Sequence, residues 1–162
     1  MSLIKKRPEV SLLAPRVVRP GRSFEVTVGL SVEKELPTEA LVVELRGEVI
    51  SGAGEHSWGR GFLRQRARLD EGQVLLPGKH LRRVRFELPA DAPSSYAGQF
   101  LRVVYGVEVR VEIPWWPDKQ VLFPIAVQAT HEPEVQERGR VFVPSLEGAA
   151  SDEAHFEFSL GS

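Results

Sequence analysis

The sequence predicts an all-β protein built as an antiparallel β-sandwich, and three observations carry that expectation. In the stretch Leu101 to Ile113, residues Leu101, Val103, Tyr105, Val107, Val109, Val111 and Ile113 alternate with Arg102, Glu108, Arg110 and Glu112. Successive side chains of a strand point to opposite faces, so the first set shares one face and the second set the other. A helix would scatter the same residues around its axis. Secondly, about ten such alternating runs are separated by Pro- and Gly-rich turn signals, the rhythm of an immunoglobulin-like sandwich. Thirdly, no amphipathic helical pattern interrupts them.

In chain order, Val10 to Leu13 is a short candidate strand, and Pro20-Gly21 turns the chain into Ser23 to Leu30. There Phe24, Val26, Val28 and Leu30 face one way and Glu25 and Thr27 the other. Glu33 to Thr38, broken by Pro37, reads as a connection. Leu41, Val43, Leu45 and Val49 then share an apolar face opposite Glu44, Arg46 and Glu48. Gly47 falls on the apolar side, where a bulge or a close backbone approach is expected. Ser51 to Gly61 reads as a flexible Gly-rich loop at the end of a mobile surface hairpin. Alternation resumes from Phe62 to Leu69, with Arg64, Arg66 and Arg68 on the polar face. Val74 to Leu76 is short, and Pro77-Gly78 leads into a strand with Val84, Phe86 and Leu88 inward and Arg83, Arg85 and Glu87 outward. After the central strand, PWWPDK is a turn, because Pro114 and Pro117 cannot donate ladder hydrogen bonds. Pro124 restricts Val121 to Ala129 to an edge or bulge. Arg140 to Val143 and His155 to Leu160 are two further short runs.

Composition narrows the function. The 162 residues contain no cysteine, so disulfides, thiolate nucleophiles and zinc–thiolate or iron–sulfur sites are ruled out. No apolar run is long enough for a spanning helix, and no apolar segment follows the basic MSLIKKR terminus, so a cytoplasmic protein is expected. A net charge of −1 argues against nucleic acid as a partner. The charge is nevertheless uneven, with a basic middle from Trp58 to Phe86 and an acidic end from Gln128 onward.

The usual chemical signatures are missing. His56, His80, His131 and His155 stand at no metal-ligand spacing, so no metal and no cofactor is expected. Ser94-Ser95 has no nucleophile elbow around it and reads as turn chemistry. Glu108 and Glu112 alternate with Arg110 as cross-strand ion pairing requires, so no catalytic residue is assigned. The candidate partner-binding residues are Arg64, Arg66 and Arg68 with Arg83 and Arg85. Side by side, their strands would place five guanidinium groups on one face, suited to carboxylates or phosphates. A solvated face balanced by Glu44, Glu48, Glu108 and Glu112 is the preferred alternative. Trp115 and Trp116, expected one buried and one partly exposed, offer a second anchor. Phe156, Phe158 and Leu160 share a face of the last run and are candidates for pairing with a sheet edge.

The order of motifs resembles the N-terminal domain of the arrestin family, including arrestin-domain-containing proteins and bacterial sporulation-control relatives. VVRPGRSFEVTVGLSV (Val17 to Val32) and LVVELRGEV (Leu41 to Val49) match its opening hairpin and following strand. The specific block is Leu88-Pro89, Pro93-Ser94, Gly98, Tyr105 and Pro114-Trp115, in order and at family-like spacing. Coverage runs over roughly residues 5 to 128, one sandwich of an arrestin's two. The resemblance implies an arrestin-like sandwich over residues 1–128; the acidic charge and the two last short runs make 129–162 an extension with one or two short strands. The resemblance also implies a basic pair, Lys5 and Lys6, placed loosely where arrestins sense phosphorylated partners. The expected function is a non-catalytic scaffold or adaptor for a protein partner; the alternative is a homodimer or larger homo-oligomer paired through edge strands or the tail.

Overall fold

Alternation in the sequence becomes strands in the computed structural model, which describes residues 7–129. In chain order these are β1 (Glu9–Leu13), β2 (Val17–Val18), β3 (Ser23–Val32), β4 (Leu36–Pro37), β5 (Ala40–Ser51), β6 (Trp58–Leu69), β7 (Val74–Leu75), β8 (Gly78–Glu87), β9 (Tyr96–Ala97), β10 (Leu101–Glu112) and β11 (Lys119–Val127). A 3-10 turn, Gly54–His56, sits between β5 and β6.

Two sheets form the layers of an immunoglobulin-like sandwich. One has the order β1-β3-β8; the other runs β2-β11-β10-β5-β6, with β9 beside β10. The predicted central strand, β10, is central: it pairs antiparallel with β5 over its whole length and with β11 on its other side. The inward residues of both sheets meet in one core. Phe24, Val26, Val28, Leu30, Val84, Phe86 and Leu88 come from the first layer and Leu41, Val43, Leu45, Tyr105, Val107, Val109 and Val111 from the second. β-Branched valines suit this position, because they pack well on a pleated surface.

The corner between the layers is built from the specific motif. β8 lies in one sheet and β10 in the other, and Leu88 to Gly98 connects them. Tyr105 buries its ring and donates its hydroxyl to the Pro93 carbonyl at 2.5 Å. Ser95 N donates to Val127 O at 2.7 Å, and Ser95 Oγ accepts from Val127 N at 2.9 Å. Ser94 Oγ accepts from Ala129 N at 3.0 Å. The two serines therefore continue the β11 ladder. Gly21, at φ 72°, donates to Leu88 O at 2.9 Å and docks the first turn on the same corner.

Three local expectations change. The loop expected over Ser51 to Gly61 is shorter, because Trp58, Gly59, Arg60 and Gly61 pair with Ser51, Ile50, Val49 and Glu48 as a continuing hairpin. The connection Glu33 to Thr38 contains a strand pair, Leu36 with Leu75, and both leucines are buried. Neither tryptophan of the PWWPD turn is buried: Trp115 is 99% exposed and Trp116 38%. The bulge expected at Gly47 is present. Gly47 pairs with Leu63 and Glu48 with Gly61, leaving Phe62 as the extra residue. Pro124 faces Gly106 of β10 at a point where, among the described residues, β11 has no partner on its other side, since β2 pairs only with Ala126 and Val127.

Candidate partner-binding surface

The outward face of the larger sheet carries a charged network laid across three strands. Glu44 on β5 stands opposite Glu108 on β10 and opposite Arg66 on β6, and Arg46 stands opposite Arg64. Arg46 Nε donates to Glu44 Oε1 at 2.5 Å, and Arg66 Nε donates to Glu44 Oε2 at 2.7 Å. Arg64 Nε lies 3.0 Å from the same oxygen. Arg46 also grips Glu108 with both terminal nitrogens, at 2.9 and 3.1 Å. Further along, Glu112 receives Arg68 at 2.8 Å and Arg110 at 3.3 Å, while Arg68 Nε reaches Glu71 at 2.7 Å.

Glu44 and Glu108 are 1% and 5% exposed although they lie on the outward face. The arginine stems cover them, as long amphipathic side chains do. Burial alone pushes the Glu44 carboxyl up, but hydrogen bonds from Arg46, Arg64 and Arg66 outweigh it and hold the group at about 2. The same contacts raise Arg46, chiefly through its bond to Glu44. Glu44 is therefore an anchor that is ionised at neutral pH. A carboxyl with so low a pKa does not suit a general base working near neutral pH.

The balanced-face reading is closest to this arrangement, with the difference that two of the balancing carboxylates are buried. The five-arginine face does not form. β6 belongs to the larger sheet and β8 to the smaller, so Arg83 and Arg85 lie apart from Arg64, Arg66 and Arg68. Arg83 is 3.8 Å from Glu25, and Arg85 donates to Ser23 Oγ at 2.5 Å, both on β3. β6 and β8 are separated in sequence only by the two-residue β7 yet lie in different sheets, and neither strand's own pattern states that.

The sequence also gave no sign of two further residues. Arg46 is the hub of the network, but on its own strand it is one polar residue among several. Gln65 on β6 bonds the backbone of Glu87 on β8, donating to its carbonyl at 2.5 Å and accepting from its amide at 3.2 Å. It thereby links the two layers where neither strand's pattern indicates a partner.

Trp115 adopts φ 63° at the tip of its turn, a left-handed conformation that is rare for a bulky residue. Among the described residues, no group of three His, Asp or Glu side chains is placed to hold a metal ion. No described helix is long and apolar enough to cross a membrane. Lys5, Lys6, Phe156, Phe158 and Leu160 lie outside the described residues.

Residues 63–132 match the family model for the arrestin (or S-antigen) N-terminal domain. Over 111 residues the chain is 32% identical to arrestin domain-containing protein 1 of Homo sapiens, and 31% identical to the proteins of that name from Rattus norvegicus and Mus musculus. Each alignment covers 65% of this chain and 26% of the relative, so the chain spans about a quarter of the length of these curated relatives. Among solved structures it is similar to the sporulation control protein of Bacillus subtilis, with a TM-score of 0.62 and 19% identity, covering 76% of this chain and 50% of that one. At that identity the likeness is one of fold.

Proposed function

The chain is arrestin-like, in sequence across residues 63–132 and in fold, and from that premise we propose that it is a non-catalytic scaffold or adaptor that binds another protein. One observation carries the reading. The conspicuous polar residues are held by one another, with Arg64 and Arg66 fixed by their Nε atoms on a buried Glu44 that is ionised at neutral pH. Guanidinium groups fixed in this way lose less freedom when they meet a ligand, which favours recognition. The same groups offer no nucleophile or base poised for reaction. A cytoplasmic location belongs to the same proposal.

The alternative, a homo-oligomer assembled through sheet edges, needs copy-to-copy pairing. On β6, antiparallel self-pairing sets arginine against arginine, and like charges directly opposite are destabilising. The adaptor reading is preferred for that reason.

Affinity capture from native lysate tests the proposal, using the wild-type chain and the variant R64Q/R66Q/R68Q, with every recovered protein re-tested in purified form. At least one partner retained by wild type and lost by the variant is expected. Equal recovery by both removes the arginine face from binding, and recovery of nothing by either removes the adaptor reading.

A further inference from the structure

β6 ends its sheet: it pairs with β5 along one side, and among the described residues no strand pairs with its other side. Unpaired edges are usually short, bulged, charged or covered, because a row of free amide and carbonyl groups recruits other chains. β6 has its bulge at Phe62, which divides the edge into a short stretch, 58–61, and a longer regular one, 63–69. Arg64, Arg66 and Arg68 stand on one face of that stretch, with side chains 63%, 46% and 46% exposed. Leu63, Gln65, Ala67 and Leu69, on the other face, are half-buried. The carboxylates that neutralise these arginines sit on β5, on β10 and in the turn after β6. The edge strand itself therefore carries positive charge only.

We propose that this edge takes up an extended acidic segment of a partner protein by strand addition, with carboxylates at every second residue facing Arg64, Arg66 and Arg68 and small apolar residues between them. The inference rests on the adaptor reading above. Three features favour it. Alternate residues of an extended chain are spaced by about 7 Å, so carboxylates at every second position match the arginine row. Arg64 and Arg66 reach Glu44 through Nε while their side chains stay 63% and 46% exposed, which leaves guanidinium surface for a second carboxylate; Arg68, whose Nη1 and Nε hold Glu112 and Glu71, adds its charge to the row. Finally, a polypeptide supplies both the negative charge that the arginine row attracts and the amide ladder that the edge lacks. A nucleic-acid strand supplies phosphates at most, and the chain's net charge of −1 does not attract one.

The probe is a short synthetic peptide alternating glutamate with valine, compared with its lysine counterpart and with a glutamate–valine peptide N-methylated at alternate residues. Binding to the full chain is followed by fluorescence anisotropy, and the bound strand is located by hydrogen exchange. Expected results are binding of the acidic peptide about tenfold or more tighter than the lysine peptide, loss of binding on N-methylation, and new protection confined to 63–69. R64Q, which alters the most exposed of the three arginines, weakens binding about threefold or more. Hydrogen exchange on wild type reads the site even if a variant misfolds. Retained binding by the N-methylated peptide, protection on another strand, or no binding at millimolar peptide overturns the proposal. If a captured partner binds R64Q unchanged and protects another strand, the adaptor reading stands and the edge assignment falls. If the peptide binds as expected and no partner is captured, the reverse holds.

Discussion

Glu44 and Arg66 face each other directly across β5 and β6, and the arginine Nε donates to the buried carboxylate at 2.7 Å. With Arg46 and Arg64 on the same carboxylate, the pair anchors the cluster that also holds Glu108. Replacing Glu44 by Gln removes the charge that three guanidinium groups share and leaves one amide oxygen to accept from them; because those arginines are themselves partly exposed, the loss is about 1–3 kcal/mol. Urea denaturation at neutral pH should show that loss for E44Q with the slope of unfolding unchanged.

The same group sets an acid limit. Its folded pKa, about 2, lies below the ordinary 4.5, so its contribution is complete above 4.5 and is lost as pH falls through that range toward 2. On the order of 3 kcal/mol at neutral pH is involved. Wild type should lose stability between pH 4.5 and pH 2 more steeply than E44Q. Parallel curves for the two proteins would show that Glu44 is not the responsible group.

Legibility in the sequence divides along physical lines. β10, its central place and the corner from Leu88 to Gly98 were readable, because alternation, proline and serine act within a few residues. Tyr105 and Gly47 were readable for the same reason. The separation of Arg83 and Arg85 from Arg64, Arg66 and Arg68 was not, since sheet membership depends on pairing between distant strands. Burial of Glu44 and Glu108 was equally hidden. Alternation assigns them to the polar face, and only the neighbouring strands supply the arginine stems that cover them.

Gly47 makes room for two rings. A Cβ there would lie 2.8 Å from Phe62 Cζ and 3.0 Å from Tyr105 Cε1, and those rings pack edge to face with centroids 5.4 Å apart. Gly47→Ala should cost about 1–3 kcal/mol by overpacking. Phe62 is partly exposed and able to move, whereas Tyr105 is buried and bonded to Pro93. In the double variant with Phe62→Ala, at least half of the Gly47→Ala cost should therefore disappear, seen as a coupling energy in a double-mutant cycle. Strict additivity would place the strain on Tyr105 instead.

Burial pushes the Tyr105 hydroxyl up to about 12. Because the folded pKa lies above the ordinary 10.0, the stabilising contribution is present below pH 10.0 and is lost as pH rises toward 12. Tyr105→Phe should remove the late phase of the alkaline absorbance titration. It should also cost about 1 kcal/mol through the lost bond to Pro93.

Trp115 holds a left-handed backbone, φ 63°, while its side chain is 99% exposed. A bulky residue in that conformation is disfavoured by about 1–2 kcal/mol, and so exposed an indole returns little packing energy. Trp115→Gly should therefore raise stability by about 0.5–1 kcal/mol, because glycine adopts positive φ freely. Trp115→Ala is the control: it removes the indole but keeps the penalised Cβ, so thermal unfolding should show little gain. If both variants gain equally, the exposed ring rather than the backbone is the source of the cost. If Trp115 anchors a partner, both variants lose affinity for it while only the glycine variant gains stability, since exposed tryptophans are disproportionately binding hot spots.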